Sequence, residues 1–496
     1  ARMQQHAEDA VKEHMTKLQQ VFYKDWKKGL PWGSTKVVQN AMRQSARYKR
    51  LKEMGLSEED VEKIFNTPKK ITVFSWDGGE VEREMTPLDS IKYYLTLLNT
   101  GLLAVEPQTG LVKAWVGGID HKYIQYDHVK SRRQVGSTFK PIVFAAALQN
   151  GMLPCEYTYN RLVTYTQFNN WQPKNANGEY GGVYSMEGAL SQSINSVAVE
   201  IMLRTGIDTV KQLARNMGIN GNIPEVPAIA LGTVDASLLE MTTVYATFAN
   251  RGLQPELHYL DRIETSDGQV IVQFDRPERK NFKRALSEDH ADMMIRMMRS
   301  VVDSGTARKL RYEFGLYNQI AGKTGTTQNH SDGWFLGFTP KLVAGVWVGA
   351  ENPSVHFRTM RSGQGSSTAL PIWGRFMKKV QDDESLKDYK GGRFKPPVDT
   401  IQALMECPPY LEDMPILVED WWYEDYDNTL LINRVLGNLR FEEDQTIQLK
   451  PIRPSETEEE YLERMQRYND RLQKRDERRE KRKELWNKIL FGKDNN

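Results

Sequence analysis

The chain has 496 residues, 39% hydrophobic and 10% aromatic, enough for two or three domains and at least one sizeable core. Charged residues make up 27%, but the signs nearly cancel at +2, so no global field argues for nucleic acid or an anionic membrane surface. No run of about eighteen apolar residues marks a membrane span, and the eight His include no HxxxH pair, so neither metal nor cofactor chemistry is expected.

The chain starts at Ala1 without Met and reads as cut from a longer precursor. Met3, Ala7, Ala10/Val11, Met15, Leu18, Val21/Phe22 and Trp26 recur at helical spacing, which predicts an amphipathic helix over 1–28. A polar, basic stretch follows to Lys70, with Ser57-Glu-Glu-Asp60 as a capped helix start. Residues 1–70 therefore read as an N-terminal helical linker region.

Alternation at Ile71–Trp76 followed by Asp-Gly-Gly predicts a strand and turn. Leu102–Val105, a Pro107–Gly110 turn and Leu111–Val116 predict a hairpin. Helical patterns dominate 137–250, including a helix from Thr138 to Ala147. Strands return at Val270–Phe274, then at 322–327, 333–338 and 342–348. Strands at both ends with helices between predict one mixed α/β (α+β) domain, placed at 71–390.

Gly391-Gly392 and Pro396-Pro397 mark a linker into a C-terminal extension, 391–496. Residues 408–455 are acidic and Pro-punctuated, and 456–493 read as one charged helix that docks by a face carrying Tyr461, Met465, Tyr468 and Leu472. Cys155 and Cys407 are either one bridge or two free thiols; spacing alone does not choose.

Three short motifs carry chemistry: Ser137-Thr-Phe-Lys140, Ser193-Ile-Asn195 and Lys323-Thr-Gly-Thr326. Gly136 permits a tight entry to a helix and Pro141 is tolerated in its first turn, so Ser137 lies at the helix N-terminus. The +3 spacing sets the Lys140 amine on the same face as the Ser137 hydroxyl. Serine needs a base, and Lys140 serves only if burial and a nearby cation, Lys323, depress its pKa.

Ser193 offers a hydroxyl that can pass a proton to a leaving amine. The Asn195 amide can hold Lys140 and a substrate carbonyl. The segment from Lys323 to Thr327 reads as an edge strand bordering a cleft. In that reading Gly325 lets a substrate backbone approach, and Thr324, Thr326 and Thr327 line the substrate. Lys323 supplies charge for a terminal carboxylate. Backbone N–H groups of Ser137 and Thr326 are candidates for an oxyanion hole. Each motif alone is weak; the three in this order point to acyl transfer through a serine ester.

Here the chain resembles the penicillin-binding proteins, specifically the transpeptidase part of the bifunctional class A enzymes, over about Thr72–Phe376. Supporting stretches are Arg133–Pro141, Trp171-Gln-Pro-Lys-Asn175, Gly188–Asn195, Ala230-Leu-Gly-Thr-Val, Glu240–Gly252, Asp332-Gly-Trp-Phe335 and Pro371-Ile-Trp373. The resemblance implies a five-stranded antiparallel sheet flanked by helices, with the serine opening the central helix. It also implies cross-linking of peptidoglycan: Ser137 attacks the D-Ala-D-Ala bond of a stem peptide, D-Ala leaves, and a neighbouring amine takes the acyl group.

By the same resemblance the partners are stem peptides, β-lactam antibiotics, which acylate the same serine, and cell-wall synthesis proteins. The expected place is outside the cytoplasmic membrane, with a membrane-anchored precursor. An arginine usual in the family falls at Met186 or Glu187, and no E-D-x-x-F-x-x-H motif occurs, so glycan polymerisation is not expected of this chain. A D,D-carboxypeptidase using the same serine, or a non-turnover β-lactam sensor or scaffold, stays open beside the transpeptidase.

Overall fold

The computed structural model describes residues 1–26, 31–32 and 34–407. The acidic 408–455 segment and the 456–493 helix fall outside the described residues. Seven helices and five strands place the site. The helices are α1 (Arg2–Asp25), α2 (Lys140–Gln149), α3 (Met186–Gln192), α4 (Asn195–Thr205), α5 (Leu238–Ala249), α6 (Glu288–Asp303) and α7 (Leu370–Asp382). The strands are β1 (Leu98–Val105), β2 (Val112–Val116), β3 (Ala321–Thr326), β4 (Asp332–Phe338) and β5 (Val343–Ala350).

The strands form one antiparallel sheet in the order β3-β4-β5-β1-β2. The expected hairpin is the β1–β2 pair, and the three late strands complete the sheet beside it. Successive residues face opposite ways, and two cross-strand pairs show what lies on each face. Gly337 pairs with Ala344, and a Cβ on Gly337 would meet Trp373 of α7. Leu336 pairs with Gly345, and a Cβ on Gly345 would meet Leu238 and Thr242 of α5. Helices α1 and α7 therefore cover one face, and α5 and α6 the other.

The helical stripe of α1 is buried as its spacing predicts, at Met3, Ala7, Ala10, Val11, Met15, Leu18 and Phe22, whereas Val21 is 43% exposed. Two glutamines weld this helix to the sheet. Gln19 donates to Thr96 O and accepts from Leu98 N at the start of β1. Gln4 accepts from Trp115 N at 2.8 Å and donates to Trp115 O at 3.0 Å, covering the edge of β2 as a neighbouring strand would. The Ile71–Trp76 strand is Lys69–Ser75, paired with Gly79–Met85 in a separate hairpin. Val270–Gln273 likewise joins Arg262–Glu264 in an exposed hairpin outside the main sheet.

His14 of α1 is buried, its Nε2 has no partner, and burial followed by the Arg375 charge lowers its pKa to about 3. Unfolded histidine titrates near 6.5, so below that pH the unfolded chain gains a proton that the folded chain refuses. Stability at this site is intact above about pH 6.5 and falls as pH drops towards 3, by about 2 kcal/mol at pH 5. Thermal melts from pH 7 to 5 should show this loss, and His14→Leu should flatten it. An unchanged pH slope in the variant would count against it.

Cys155 and Cys407 are bridged, with Cα atoms 4.9 Å apart and a sequence separation of 252. The bridge fixes the short helix Asp399–Leu404, whose Ile401 packs into the core together with the following Met405. Closing so long a loop stabilises by about 5 kcal/mol at most in the chain-entropy view. The double variant Cys155→Ser/Cys407→Ser should therefore melt several degrees lower, and an unchanged Tm would contradict this reading.

Candidate active site

Ser137 lies in a tight 3₁₀ turn, Gly136–Phe139, that runs directly into α2. The helix was expected from Thr138, but its α-helical part begins at Lys140. Pro141 lacks an N–H and so fits only an opening turn. The consequence is useful, because side chains three apart in a 3₁₀ turn eclipse, which stacks Ser137 and Lys140 on one line.

The turn is held from several sides. Gly136 has φ +54° and donates to Gly232 O, and a Cβ on it would lie 2.7 Å from Thr326 O. A side chain there would separate the serine turn from β3. Tyr245 of α5, fully buried, donates to Thr138 O at 3.0 Å, and Trp334 of β4 donates to Gln134 O at 2.9 Å. These contacts explain two of the stretches that surround the motifs in sequence, Glu240–Gly252 and Asp332–Phe335.

Lys140 has no exposed surface. Its Nζ donates to Ser193 O at 2.7 Å and to Asn195 Oδ1 at 2.6 Å, with Ser193 Oγ at 3.3 Å. A neutral amine has two N–H groups and one lone pair. The two carbonyl oxygens take both N–H groups, which leaves the lone pair for a proton arriving from elsewhere. Burial, and then the charge of Lys323, hold the Lys140 pKa well below its ordinary value.

Lys323 is also fully buried; its Nζ donates to Ser193 Oγ at 2.9 Å and to Thr324 O at 3.0 Å. Burial lowers its pKa to about 7. Ser193 Oγ thus bridges two amines that repel one another when both are charged. The hydroxyl has the geometry of a proton relay between them. Ser193 itself adopts a left-handed conformation, φ +59°, at the end of α3, and α4 begins at Asn195. That kink is how residues two apart in sequence come to face the same amine.

The positions expected to line the substrate divide. Thr324 shares a 2.8 Å hydroxyl contact with Thr306, and Thr326 Oγ accepts from Gly365 N at 3.0 Å. Gly325 packs against protein: a Cβ there would press on Thr138 Cγ2 at 2.8 Å and Val135 O at 2.9 Å. Its small size serves the seat of the serine turn on β3. The Thr327 hydroxyl is used in the β3–β4 turn, where it accepts from Asp332 N and contacts Ser331. The Lys323 ammonium points inward to Ser193 and Thr324 O, where a terminal carboxylate was expected as its partner. Of the two positions where the family arginine falls, Met186 is buried, and Glu187 accepts a hydrogen bond from Ser300 and lies 3.8 Å from Arg296.

Sequence reasoning missed Thr306, Gly365 and the asparagines Asn160 and Asn175. The signals available were Ser304-Gly305-Thr306 after a long helix and the Trp171–Asn175 stretch of the resemblance, in which Asn175 has no assigned role. Neither is distinctive without the fold.

With this geometry in view, the comparisons with known proteins agree. The penicillin binding protein transpeptidase domain matches residues 100–378, and the penicillin-binding protein middle domain matches 19–98. The first match covers more than half of the chain, which therefore belongs to the penicillin-binding transpeptidase family and has its fold.

Among curated relatives, penicillin-binding protein 1A of Neisseria gonorrhoeae is 33% identical over 316 residues, 62% of this chain and 38% of that protein. Penicillin-binding protein 1A of Aquifex aeolicus is 35% identical over 288 residues, 57% and 38%. The chain thus spans under two fifths of the length of these relatives. Penicillin-binding protein 1A from Haemophilus influenzae shares the fold at TM-score 0.59 and 20% identity, over 80% of this chain and 67% of that one. PonA1 from Mycobacterium tuberculosis in complex with penicillin V does so at TM-score 0.52 and 21% identity, over 73% and 96%.

Proposed function

We propose that this chain is a peptidoglycan D,D-transpeptidase that works through a Ser137 acyl-enzyme, and that β-lactams acylate the same serine. The observation that carries the reading is the Lys140 amine, buried beside Lys323 with both N–H directions taken by Ser193 O and Asn195 Oδ1. Such an amine is a base and a poor resident cation.

In the first half-reaction Lys140 takes the Ser137 proton as Oγ attacks the carbonyl carbon of the penultimate D-Ala. Backbone N–H groups of Ser137 and Thr326 hold the oxyanion, each worth about 3–4 kcal/mol. Collapse breaks the peptide bond, and the leaving D-Ala amine receives its proton through Ser193, between Lys140 and Lys323. In the second half an acceptor amine attacks the ester and gives up a proton to the same base, which passes it to Ser137 Oγ as the ester C–O bond breaks.

In this reading Thr324 and Thr326 meet the substrate carboxylate. Thr326 Oγ already accepts from Gly365 N, so its O–H remains to donate. The transpeptidase domain is taken as 71–390, after an N-terminal region of 1–70 and before an extension of 391–496. The partners are stem peptides, β-lactams and other cell-wall synthesis proteins, and the longer precursor is membrane-anchored. A location outside the cytoplasmic membrane fits the Cys155–Cys407 bridge, which an oxidising compartment favours.

The test is mass spectrometry after incubation with a D-Ala-D-Ala stem-peptide mimic and an acceptor amine. The expected product is the mimic joined to the amine with loss of one D-Ala. Hydrolysed mimic alone would replace transfer by carboxypeptidase action, and no release of D-Ala would replace both by a binding-only module.

A further inference from the structure

Helix α4 begins without a cap of its own. Its N-cap position is Ile194, which has no side-chain acceptor, because the flanking Ser193 and Asn195 face the lysines. The first amides of a helix need acceptors, and an apolar N-cap supplies none. Here the acceptor comes from twenty residues upstream. Asn175 Oδ1 accepts from Asn195 N at 2.9 Å and from Ser196 N at 3.1 Å.

The Asn175 amide is itself held. Its Nδ2 donates to Asn160 Oδ1 at 2.6 Å and to Glu179 O at 2.7 Å, and Asn160 Oδ1 accepts also from Ser196 Oγ at 2.7 Å. Asn160, Asn175 and Ser196 are all buried. With oxygen on two N–H donors and nitrogen on two oxygens, the amide has one orientation that satisfies it. The neighbouring Lys174 carbonyl accepts from Asn195 Nδ2 at 2.8 Å. Two adjacent residues of one loop thus fix both the backbone of Asn195 and the rotation of its amide.

That rotation matters chemically. If the Asn195 amide turned over, an N–H pair would face Lys140 Nζ in place of Oδ1. One amine hydrogen would lose its acceptor, and the lone pair would be drawn towards the amide and away from an incoming proton. We infer that Asn175 is a positioning residue of this site: it caps α4 from outside and, with Lys174 O, keeps the Asn195 carbonyl aimed at the Lys140 amine. The inference rests on the proposed acyl-enzyme reading and adds to it a role for the loop between Asn160 and Glu179.

The test is the time course of Ser137 labelling by a fluorescent penicillin on the full chain. Asn175→Ala should lower the acylation rate constant about 30- to 100-fold and leave the affinity of the complex that precedes it within threefold. In an Asn195→Ala background the same change should cost less than threefold, because the group it positions is already gone. A merely structural loop anchor would cost the same in both backgrounds, and that additivity, or a wild-type rate in Asn175→Ala, overturns the inference.

If Asn175→Ala loses its cooperative melt, Ser196→Ala takes its place, since it removes only the hydroxyl bond to Asn160. It should slow acylation three- to tenfold in the Asn195 background of the native chain and not in Asn195→Ala. Equal effects in both, or none in either, overturn the inference. An unlabelled but folded native chain would count against the acyl-enzyme reading itself, whereas a labelled native chain with additive variants counts against the positioning role alone.

Discussion

Lys140→Met should lower the rate of β-lactam acylation about 10³- to 10⁴-fold while the protein stays folded and melts at a higher temperature. Removing a positioned general base costs on the order of 10²–10⁴ in rate, and here the same group also ties the start of α2 to Ser193 and Asn195. The stability gain has a separate cause. A fully buried amine is costly to desolvate, and methionine fills nearly the same volume without that cost. Lys140→Arg separates charge from basicity, because arginine keeps the charge and does not lose it at working pH. It should be as slow as the methionine variant. Stopped-flow labelling and thermal melts read both effects. Acylation within tenfold of the native rate in either variant would remove Lys140 from the base role.

Lys323→Met should raise Tm and lower acylation at neutral pH about 10²-fold. The stability argument runs through its pKa, about 7 in the folded chain against about 10.4 unfolded. Between those values the unfolded chain holds a proton that the folded chain has given up, so burial of this amine destabilises the fold. The penalty is complete below about pH 7 and fades as pH rises towards 10.4. The Tm gain of the variant should follow the same course, largest at low pH and absent near pH 10.4. The kinetic effect has the opposite origin. Without the Lys323 charge, Lys140 holds its proton more tightly, so the rise of acylation with pH should move to alkaline pH. A variant with the native pH profile would show that Lys323 does not tune Lys140.

Much of the sheet and the three motifs were legible because each rests on a local rule. Alternation marked the strands that became β1, β2 and the β3–β5 group, and the 3.6-residue period marked α1. The Ser137–Lys140 spacing implied a shared face, and the need for a base implied burial and a neighbouring cation. Burial and the Lys323 charge are what depress Lys140. The resemblance supplied the five-stranded order, which no local pattern could give, since β1 and β5 pair across more than two hundred residues.

What stayed hidden depends on long-range contacts. Gly325 reads as a gap for a substrate but fills a close approach to Val135 and Thr138, and only the packed turn reveals that. Thr327 looks like its neighbours Thr324 and Thr326 in sequence, yet it falls one residue past the strand, where its hydroxyl closes the turn. Asn175 caps a helix that starts twenty residues later, so no capping box could announce it. The Cys155–Cys407 pair left bridge and free thiols open until the fold brought the two ends together.

The relation between the motifs is also physical. Ser193 is strained into a left-handed conformation, two lysines are buried, and the start of α4 gives up its own cap. Each choice costs stability and each faces the same small volume around Ser193 Oγ. Such a concentration of costs around one hydroxyl supports the proposed catalytic reading.

The most direct measurement is intact-mass and peptide-mapping mass spectrometry of the chain after exposure to a penicillin, with Ser137→Ala run beside it. The expected result is one adduct of the full mass of the drug, on the peptide that carries Ser137, and none on the folded Ser137→Ala protein. A covalent adduct retained by Ser137→Ala, or one mapped to another residue of the native chain, would contradict the assignment of Ser137 as the nucleophile.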